Sequence, residues 1–560
     1  MKPIIYQLLP RLFGNVNNRP VACGTLEQNG TGKMSQINDS VLQSLRGLGV
    51  THVWYTGVIE HAHRPDYTAY GIPRHNPHVI KGEAGSPYAI CDYYDIDPDI
   101  ADDPARRMEE FASLVERTHN RGMKVIIDFV PNHVAREYHS DAAPQGVRDF
   151  GADDDSQKAF DPNNNFYYLP GQRFDPSNVY LGDYVEEPAR ASGNDCFTAS
   201  PDRNDWFETV KLNYGVDYCG GGQTHFDPVP STWRKMLHIL RYWAAKGVDG
   251  FRCDMASMVP VEFWRWVIPQ VKKLRPRVCF IAEIYELHLY RAFIDAGFDY
   301  LYDKVNLYDT LRAVERDETW ANRITDCWQR VDGLGQHLLN FLENHDEQRY
   351  ASPFYAGRAD TVLPSLVVAT MISTGPMMIY AGQELGETGT DAEGFSGYDG
   401  RTTIFDYWSM PTLRRWLASG VPSNALLTPE EVALRGLYSR VLNLANTEPA
   451  ITAGLFFDLM YVNMENPTVM LHHHYIFMRH HGSHTLLIAV NFGSEAAAME
   501  INIPRHAIDY LGLTEGEYPA TELLTSRRSR KLLSSTIPFA TTVPAHGAVV
   551  WRIDADTIVK

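Results

Sequence analysis

Eight short apolar runs, rich in β-branched and aromatic residues, alternate with amphipathic stretches over most of this chain. The runs are PIIYQLL (3–9), THVWYTG (51–57), KVIIDFV (124–130), VDGFRCD (248–254), VCFIAEIY (278–285), FDYLYD (298–303), LLNFLEN (338–344) and PMMIYAG (376–382). Intervening stretches such as MEEFASLVERTHNRG end in Gly, as helices often do. Strands that alternate with helices form a parallel sheet, and eight of them close into a barrel. The sequence therefore predicts an α/β fold built on a (β/α)8 TIM barrel.

Two regions break this alternation. Residues 134–204 are polar and rich in Asp, Asn, Pro and Gly, and a connection of this length is typical of an inserted subdomain or a lid. Near the C-terminus, HTLLIAVNFGS, MEINIP and GAVVWRID read as short strands without helical pattern, which predicts an antiparallel β-sandwich. The predicted organisation is a barrel over 1–133 and 205–454, an inserted domain over 134–204 and a C-terminal β-sandwich over 455–560.

Charge and composition limit the partners of the chain. The net charge of −18 makes nucleic acids and anionic membranes poor partners. No apolar run approaches the roughly 20 residues that a membrane crossing needs. The N-terminus has no signal-peptide pattern, and the seven Cys are irregularly spaced, so we expect a reducing, cytoplasmic setting. The sequence does not indicate an oligomeric state.

Charged and polar residues lie near or just after the carboxyl ends of four of the eight runs, each at the same end of its strand. They are Asp128, Arg252 with Asp254, Glu283, and His345 with Asp346. A single one could be a solvated strand end, since burying an unpaired carboxylate costs several kcal/mol. In a barrel, however, the carboxyl ends of all strands meet at one mouth, where active sites lie. The set therefore predicts one shared polar site.

These residues also fit a family pattern. DFVPNH (128–133), GFRCD (250–254), AE (282–283) and ENHD (343–346) resemble, in order and spacing, the four signature regions of the α-amylase superfamily, glycoside hydrolase family 13. The resemblance extends over almost the whole chain. It implies a catalytic barrel, a domain B after the third strand, a β-sandwich domain C, and retaining hydrolysis of α-glucans through a covalent glycosyl-enzyme.

The resemblance assigns three catalytic roles: Asp254 as nucleophile, Glu283 as general acid/base and Asp346 as transition-state stabiliser. A retaining glycosidase needs one ionised carboxylate and one protonated carboxyl about 5 Å apart. Arg252 lies two residues before Asp254, on the same face of the strand. We therefore expect Arg252 to keep Asp254 ionised by lowering its pKa.

Four further residues match substrate-binding positions of the family. His133 and His345 match histidines that hydrogen-bond the sugar at the cleavage point, and Asp128 matches a supporting position that orients Arg252. The stretch SPYAICDYYDIDP (86–98) resembles a family segment that places the ring of Tyr88 under this sugar.

Two departures narrow the expected substrate. In VKLN (210–213), Lys211 replaces the Asp of many members and resembles the neopullulanase and cyclomaltodextrinase branch. The stretch DMASM (254–258) lacks the Lys-His pair with which typical α-amylases hold the sugar beyond the cleavage point. Both favour small or branched α-glucans over long starch chains. The choice between α-1,4 and α-1,6 bonds stays open, because Met255 resembles neither usual type.

The resemblance does not extend to calcium. In NGTGK (29–33), Asn29 and Lys33 replace the two carboxylates of a family calcium loop. Asn132 matches a calcium-ligating position, but Lys211 occupies an acidic position of that motif, and Ca²⁺ prefers oxygen ligands that include carboxylates. A structural calcium is therefore not favoured, and we expect no cofactor to be required.

Histidines cluster in the predicted sandwich, at 472–474 and 480–481. Adjacent residues of a strand point to opposite faces, so we do not predict a metal site from these runs.

Two other functions remain open. A transglycosylase of the same fold would pass the covalent intermediate to a sugar instead of water. A catalytically silent barrel could serve for binding alone, since fold does not determine function, but the presence of all three catalytic carboxyls argues against it.

Overall fold

The eight predicted runs form the strands of one closed barrel in the structure, a computed structural model that describes residues 1–389 and 398–554. The strands are β1 (Ile4–Leu8), β2 (His52–Tyr55), β3 (Lys124–Phe129), β4 (Gly250–Cys253), β5 (Cys279–Ala282), β6 (Tyr300–Tyr302), β7 (Leu338–Phe341) and β8 (Met377–Tyr380). Each strand pairs in parallel with its neighbours in sequence, and β1 closes the ring against β8. The TIM-barrel prediction is confirmed.

Burial on both faces explains why these strands were readable as unbroken apolar runs. All residues of β1, β4, β7 and β8 are buried, and in each of the other four strands only the first residue is not. A parallel strand covered by side chains inside the barrel and by helices outside has no solvent face, so it does not alternate polar and apolar residues.

Helices connect most of the barrel strands. The longer ones are Asp39–Leu48, Arg107–Asn120, Ser231–Ala245, Val261–Leu274, Tyr290–Ala296, Asp309–Glu315, Ile324–Arg330, Leu363–Met371 and Pro429–Thr447. The first shows how the sequence defines its ends. The side chain of Asn38 accepts hydrogen bonds from the first backbone N–H groups, and Gly49, at a φ of 104°, ends the helix in a left-handed conformation that favours glycine.

The long connection between β3 and β4 starts and ends at neighbouring positions in the structure. Strand His133–Ala135 at its start pairs antiparallel with Thr209–Lys211 near its end. Tyr168–Leu169 and Ala189–Arg190 form a second small ribbon between them. This pairing supports the inserted domain, and we keep the predicted bounds 134–204 as a proposal.

A second long connection was not predicted. Between β2 and helix Arg107–Asn120, the strands Ile59–His61 and Ile90–Ile96 form an antiparallel ribbon that places Glu60 opposite Asp92. All seven residues of Ile90–Ile96 are buried, although two of them are aspartates. The sequence concealed this ribbon because its acidic residues resemble those of a surface loop.

The C-terminal region is an antiparallel β domain, as predicted. Its six-stranded sheet has the order Leu455–Asp458, His474–His481, His484–Asn491, Gly547–Asp554, Gly516–Glu522, Arg527–Leu533, and Ala497–Ile501 pairs with Phe539–Val543. Residues 555–560 of the predicted domain lie outside the described residues. Buried Arg479 joins sheet and barrel, since it donates to the carbonyls of Ala450 and Ile372, both at 3.1 Å.

All seven Cys are free thiols. Within residues 1–389 and 398–554, no helix has the length and apolar character that a membrane span requires.

Candidate active site

The structure brings all eight predicted site residues together at the carboxyl end of the barrel. Five of them line a cavity of about 230 Å³: Tyr88, His133, Asp254, Glu283 and Asp346. The other three, Asp128, Arg252 and His345, are buried: Arg252 contacts Asp254 and Glu283, His345 contacts Asp346, and Asp128 lies 3.6 Å from Arg252. The predicted convergence of strand ends is therefore present in the fold.

Arg252 is at the centre of this cluster. Its Nη1 lies 2.7 Å from Oδ1 of Asp254, and its Nη2 lies 2.8 Å from Oε2 of Glu283. Nη1 is also 3.6 Å from Oδ1 of Asp128, the residue opposite Arg252 in the β3–β4 register. One fully buried guanidinium thus holds the carboxyl groups at the ends of β4 and β5 side by side.

We expected Arg252 to lower the pKa of Asp254, but the net shift of this pKa is upward. Burial of Asp254, 5% exposed, raises its pKa well above the ordinary value, and the neighbouring Glu283 adds to the rise. Arg252 opposes both effects but does not outweigh them. Sequence adjacency identified the cation but could not reveal how far the fold removes Asp254 from water.

Besides its ion pair with Arg252, Glu283 has two hydrogen-bond donors, which sequence reasoning missed. The hydroxyl of Tyr285 donates to Oε1 at 2.6 Å, and the backbone N–H of Met255 donates to Oε2 at 2.7 Å. Met255 has a φ of 42°, a left-handed conformation that is uncommon for a residue other than glycine. Tyr285 could have been found from the sequence, since residues i and i+2 of an extended segment point to the same side.

Asp346 lies on the opposite wall and is more open, with its side chain 41% exposed. Desolvation raises the pKa of Asp346, but His345 and the more distant Arg252 and Arg401 outweigh this effect and lower the pKa to about 2. Nε2 of His345 is 3.0 Å from Oδ2 of Asp346. Asp346 is therefore a carboxylate over the whole range in which an enzyme of this kind would work.

The imidazole of His345 is hydrogen-bonded to a residue that the sequence analysis did not identify. Nε2 of Gln7, on β1, donates to Nδ1 of His345 at 2.6 Å. With Nδ1 accepting, Nε2 carries a proton; it is hydrogen-bonded to the hydroxyl of Tyr88 at 2.5 Å and lies near Asp346. Gln7 and His345 are separated by 338 positions in the chain, so this contact has no local sequence signal.

Tyr88 closes one side of the cavity. Its ring stacks on His345 with centroids 5.3 Å apart and planes at 28°, and Cζ of Arg252 lies 5.2 Å from the ring centre. Beneath it, Nε1 of Trp54 donates to Oδ2 of Asp128 at 3.1 Å. Burial raises the pKa of Asp128, and Arg252 opposes this rise.

His133 is a neutral imidazole in this site. Burial, helped by Lys211 and Lys81, lowers its pKa to about 3. Its Nδ1 lies 3.1 Å from Nδ2 of Asn132, and its ring is 5.2 Å from that of Trp206. A neutral ring can both donate to and accept from a sugar hydroxyl.

The residues beside Asn132 do not fit a calcium ion. The ammonium group of buried Lys211 donates to Oδ1 of Asn132 and to the carbonyl of Met258, and it lies 2.6 Å from Oδ1 of Asp195. A fixed positive charge thus contacts the amide oxygen that the family resemblance assigns to calcium, and a cation beside it would be repelled.

The N-terminal loop has the same character. Nζ of Lys33 donates to the carbonyls of Asp99 and Ala101, at 2.7 and 2.8 Å. The amide of buried Asn29 donates to the carbonyl of Tyr407 at 2.7 Å. These side chains tie loops of the chain together.

A wider cavity, of about 440 Å³, lies between the barrel and the C-terminal sheet. None of the eight predicted site residues lines it. Its walls are largely apolar and include Leu307, Trp328 and Phe456. The paired carboxyl groups therefore make the smaller cavity the candidate active site.

Comparison with known proteins finds similarity to alpha-amylases and a neopullulanase. A profile of the family Alpha amylase, catalytic domain, matches residues 7–276. The chain is 24% identical to Alpha-amylase 3 of Dictyoglomus thermophilum over 58% of its length and 60% of that protein. It is 23% identical to Neopullulanase 2 of Thermoactinomyces vulgaris over 69% of its length and 57% of that protein. The match thus spans less than two thirds of these relatives.

Solved structures share the fold. An alpha-amylase from Geobacillus thermoleovorans, crystallised with acarbose, superposes with a TM-score of 0.63 at 17% identity, covering 99% of both chains. At this identity the similarity concerns the fold.

Proposed function

We propose that this chain is a retaining α-glucoside hydrolase of the α-amylase family that acts on maltooligosaccharides or related α-glucans. The observation that carries the proposal is the pairing of Asp254 and Glu283 on the single guanidinium of Arg252, in a cavity that Asp346 also lines. Two carboxyl groups side by side are what a retaining glycosidase requires.

In the proposed mechanism, an oxygen of Asp254 attacks the anomeric carbon of the sugar while Glu283 gives its proton to the departing glycosidic oxygen. The bond to the leaving sugar breaks, and a glycosyl ester on Asp254 forms. Glu283, now a carboxylate, then takes a proton from a water molecule, which attacks the same carbon and releases Asp254.

The surroundings of each carboxyl group suit its proposed role. Asp346, with its lowered pKa, keeps a negative charge that stabilises the positive charge on the sugar ring in both transition states. Arg252 balances the charge that remains on Asp254 or Glu283 at each step, since it contacts both. The ring of Tyr88, which lines the cavity and stacks on buried His345, offers a flat face against which a sugar can pack.

The polar groups at the far wall support a short substrate. Nζ of Lys81 lies 3.0 Å from Oε1 of Glu208, and both side chains are nearly buried. Among the described residues, Oε2 of Glu208 has no hydrogen-bond partner, although this residue lines the cavity. Lys81 and Glu208 both line the cavity, so a sugar bound there would lie beside this ion pair, and a cavity of about 230 Å³ has room for few sugar units.

The similar proteins support the same substrate class. The names neopullulanase and alpha-amylase describe enzymes of α-glucans, and the structurally similar amylase was crystallised with acarbose. Whether the bond cleaved is α-1,4 or α-1,6 is decided by assay. Purified protein should be offered maltooligosaccharides, cyclodextrins, pullulan and trehalose, and the anomer released first should be followed by NMR. Release of the α-anomer supports retention, inversion refutes the mechanism, and products longer than the substrate would indicate transglycosylation.

Two variants test the assigned roles. Asp254→Asn should abolish turnover while the protein stays folded, because the amide keeps the shape but cannot attack. Asp249→Asn is a matched control just before the same strand β4, outside the cavity, and should remain active. If Asp254→Asn kept a tenth of the wild-type rate, another residue would have to be the nucleophile.

Glu283→Gln separates the acid from the nucleophile. It should be nearly inert on maltooligosaccharides, whose leaving group needs a proton. It should still form the glycosyl-enzyme from an aryl glucoside with an activated leaving group. Near-normal cleavage of maltooligosaccharides by Glu283→Gln would assign the proton donor elsewhere.

A further inference from the structure

The histidines at 472 and 473 do not face opposite ways, as a strand would require. They lie in the turn before strand His474–His481, and their imidazole rings stack with centroids 4.6 Å apart and planes at 9°. The reason for excluding a metal site at these two residues was therefore wrong, because the strand begins one residue later than the pair.

A carboxylate from the barrel faces this pair. Asp317 follows helix Asp309–Glu315, and its Oδ1 lies 2.9 Å from Nε2 of His472. One ligand-type atom from each of Asp317, His472 and His473 lies within 4.8 Å of the others. The three side chains are partly open to solvent, so an ion could reach them.

The backbones that carry these side chains are fixed. Backbone N–H groups of Ala321 and Asn322, on the barrel side, donate to the carbonyls of His472 and Leu471, both at 3.0 Å. The carbonyl of His473 accepts from the backbone N–H of Phe492 at 2.8 Å. Only side-chain rotation is therefore needed to bring the three groups onto one ion.

We propose that Asp317, His472 and His473 bind a divalent transition metal of the Zn²⁺ type at the junction of the barrel and the C-terminal sheet. Two imidazole nitrogens and one carboxylate oxygen form a ligand set that suits Zn²⁺ and leaves a fourth, tetrahedral position for water. Hard cations such as Ca²⁺ and Mg²⁺ prefer six or more oxygen ligands, and this cluster does not offer them. Binding requires the stacked rings to rotate about their Cβ–Cγ bonds, so that both lone pairs point at the ion.

Since one ligand comes from the barrel and two from the C-terminal region, the bound ion would join the two and stabilise their contact without touching the active site.

The test is metal binding by the full chain after chelator treatment and gel filtration. Co²⁺ should give the visible absorption of a tetrahedral complex, and calorimetry with Zn²⁺ should show one site. Zn²⁺ should also raise the melting temperature. Removing a hydrogen-bonding neighbour of a metal ligand costs roughly 10- to 100-fold in affinity. Because His472→Ala and His473→Ala each remove a ligand itself, each should weaken Zn²⁺ binding by at least that much.

A matched control is available in the same domain. Replacing the other adjacent pair, His480 and His481, by Ala should leave the affinity and the Co²⁺ spectrum unchanged. Asp317→Asn keeps the shape of the barrel ligand but removes its charge, and it should weaken binding as the His variants do.

The outcomes separate clearly. Zn²⁺ affinity that is unchanged in His472→Ala and His473→Ala, or lost in the His480/His481 control, would refute the site. An unchanged Zn²⁺ affinity in Asp317→Asn would refute the proposal that the ion joins the barrel to the C-terminal sheet. All these variants should keep wild-type melting temperatures without metal, and a loss of fold would itself show that the residues are structural.

Discussion

Replacing Tyr285 with Phe should move the alkaline limb of the pH–activity profile to higher pH. The Tyr285 hydroxyl donates to Oε1 of Glu283 at 2.6 Å, so it stabilises the ionised carboxylate over the acid. Burial and the neighbouring Glu283 raise the pKa of Tyr285 well above its usual value, so the hydroxyl keeps its proton throughout the assay range. Phe keeps the ring and removes only this donor.

The size of the effect follows from the single bond removed. A hydrogen bond to a charged group contributes about 1.5–3 kcal/mol, and 1.36 kcal/mol corresponds to one pH unit. The limb should therefore move up by about 1–2 units, the larger value applying if no water replaces the hydroxyl. The acid limb, which depends on Asp254, should stay in place, because Tyr285 makes no hydrogen bond to that residue among the described contacts.

The measurement is kcat/KM on a maltooligosaccharide across the pH range, for wild type, Tyr285→Phe and a matched control. Tyr290→Phe is that control, since its hydroxyl donates to the backbone carbonyl of Tyr302 and touches no carboxyl group. Both limbs should be unchanged in the control. An alkaline limb that stays in place or moves down in Tyr285→Phe would refute the assignment of Glu283 as the proton donor held by this hydroxyl.

Three further predictions use other parts of the structure. Since burial and Glu283 raise the pKa of Asp254, the acid limb of the pH–activity profile should lie above the ordinary Asp pKa of about 3.9. Activity should fall there as the nucleophile gains its proton, and an acid limb below this pH would contradict the burial argument. Burial, Asp92 and Asp95 raise the pKa of Glu60, so the wild-type protein loses stability as the pH rises above the unfolded Glu pKa of about 4.3. The variant Glu60→Gln should therefore resist urea better than wild type at pH 8 but not at pH 4. Adding Ca²⁺ after chelation should leave the melting temperature unchanged, because Lys211 contacts Asn132; a rise of several degrees would reveal a calcium site.

The barrel could be predicted from the sequence because its signals are local. Runs such as MMIY are buried on both faces, so they stay apolar throughout, and the intervening helices carry their own end signals. The positions of Asp254 and Glu283 followed from the same reading, since each directly follows a strand and all strand ends of a parallel barrel meet at one mouth.

The second long connection could not be predicted in this way. The strand Ile90–Ile96 is buried with its aspartates, which a sequence reading assigns to the surface. Their burial is tolerated because they are paired: Asp92 accepts from Ser140 and from the backbone of Tyr94, and Asp95 forms an ion pair with Arg107. Such pairing depends on residues that are remote in the sequence.

Within the candidate site, residue types were determined by the sequence, and their electrostatics were decided by the fold. Arg252 beside Asp254 is a local fact, but the depth of burial that raises the pKa of Asp254 is a property of the closed barrel. The contacts of Gln7 with His345 and of Lys211 with Asn132 join segments far apart in the chain. The turn that aligns His472 with His473 likewise depends on the barrel segment docked against it. Periodicity and strand ends are written in neighbouring residues, whereas desolvation and long-range pairing exist only once the chain has folded.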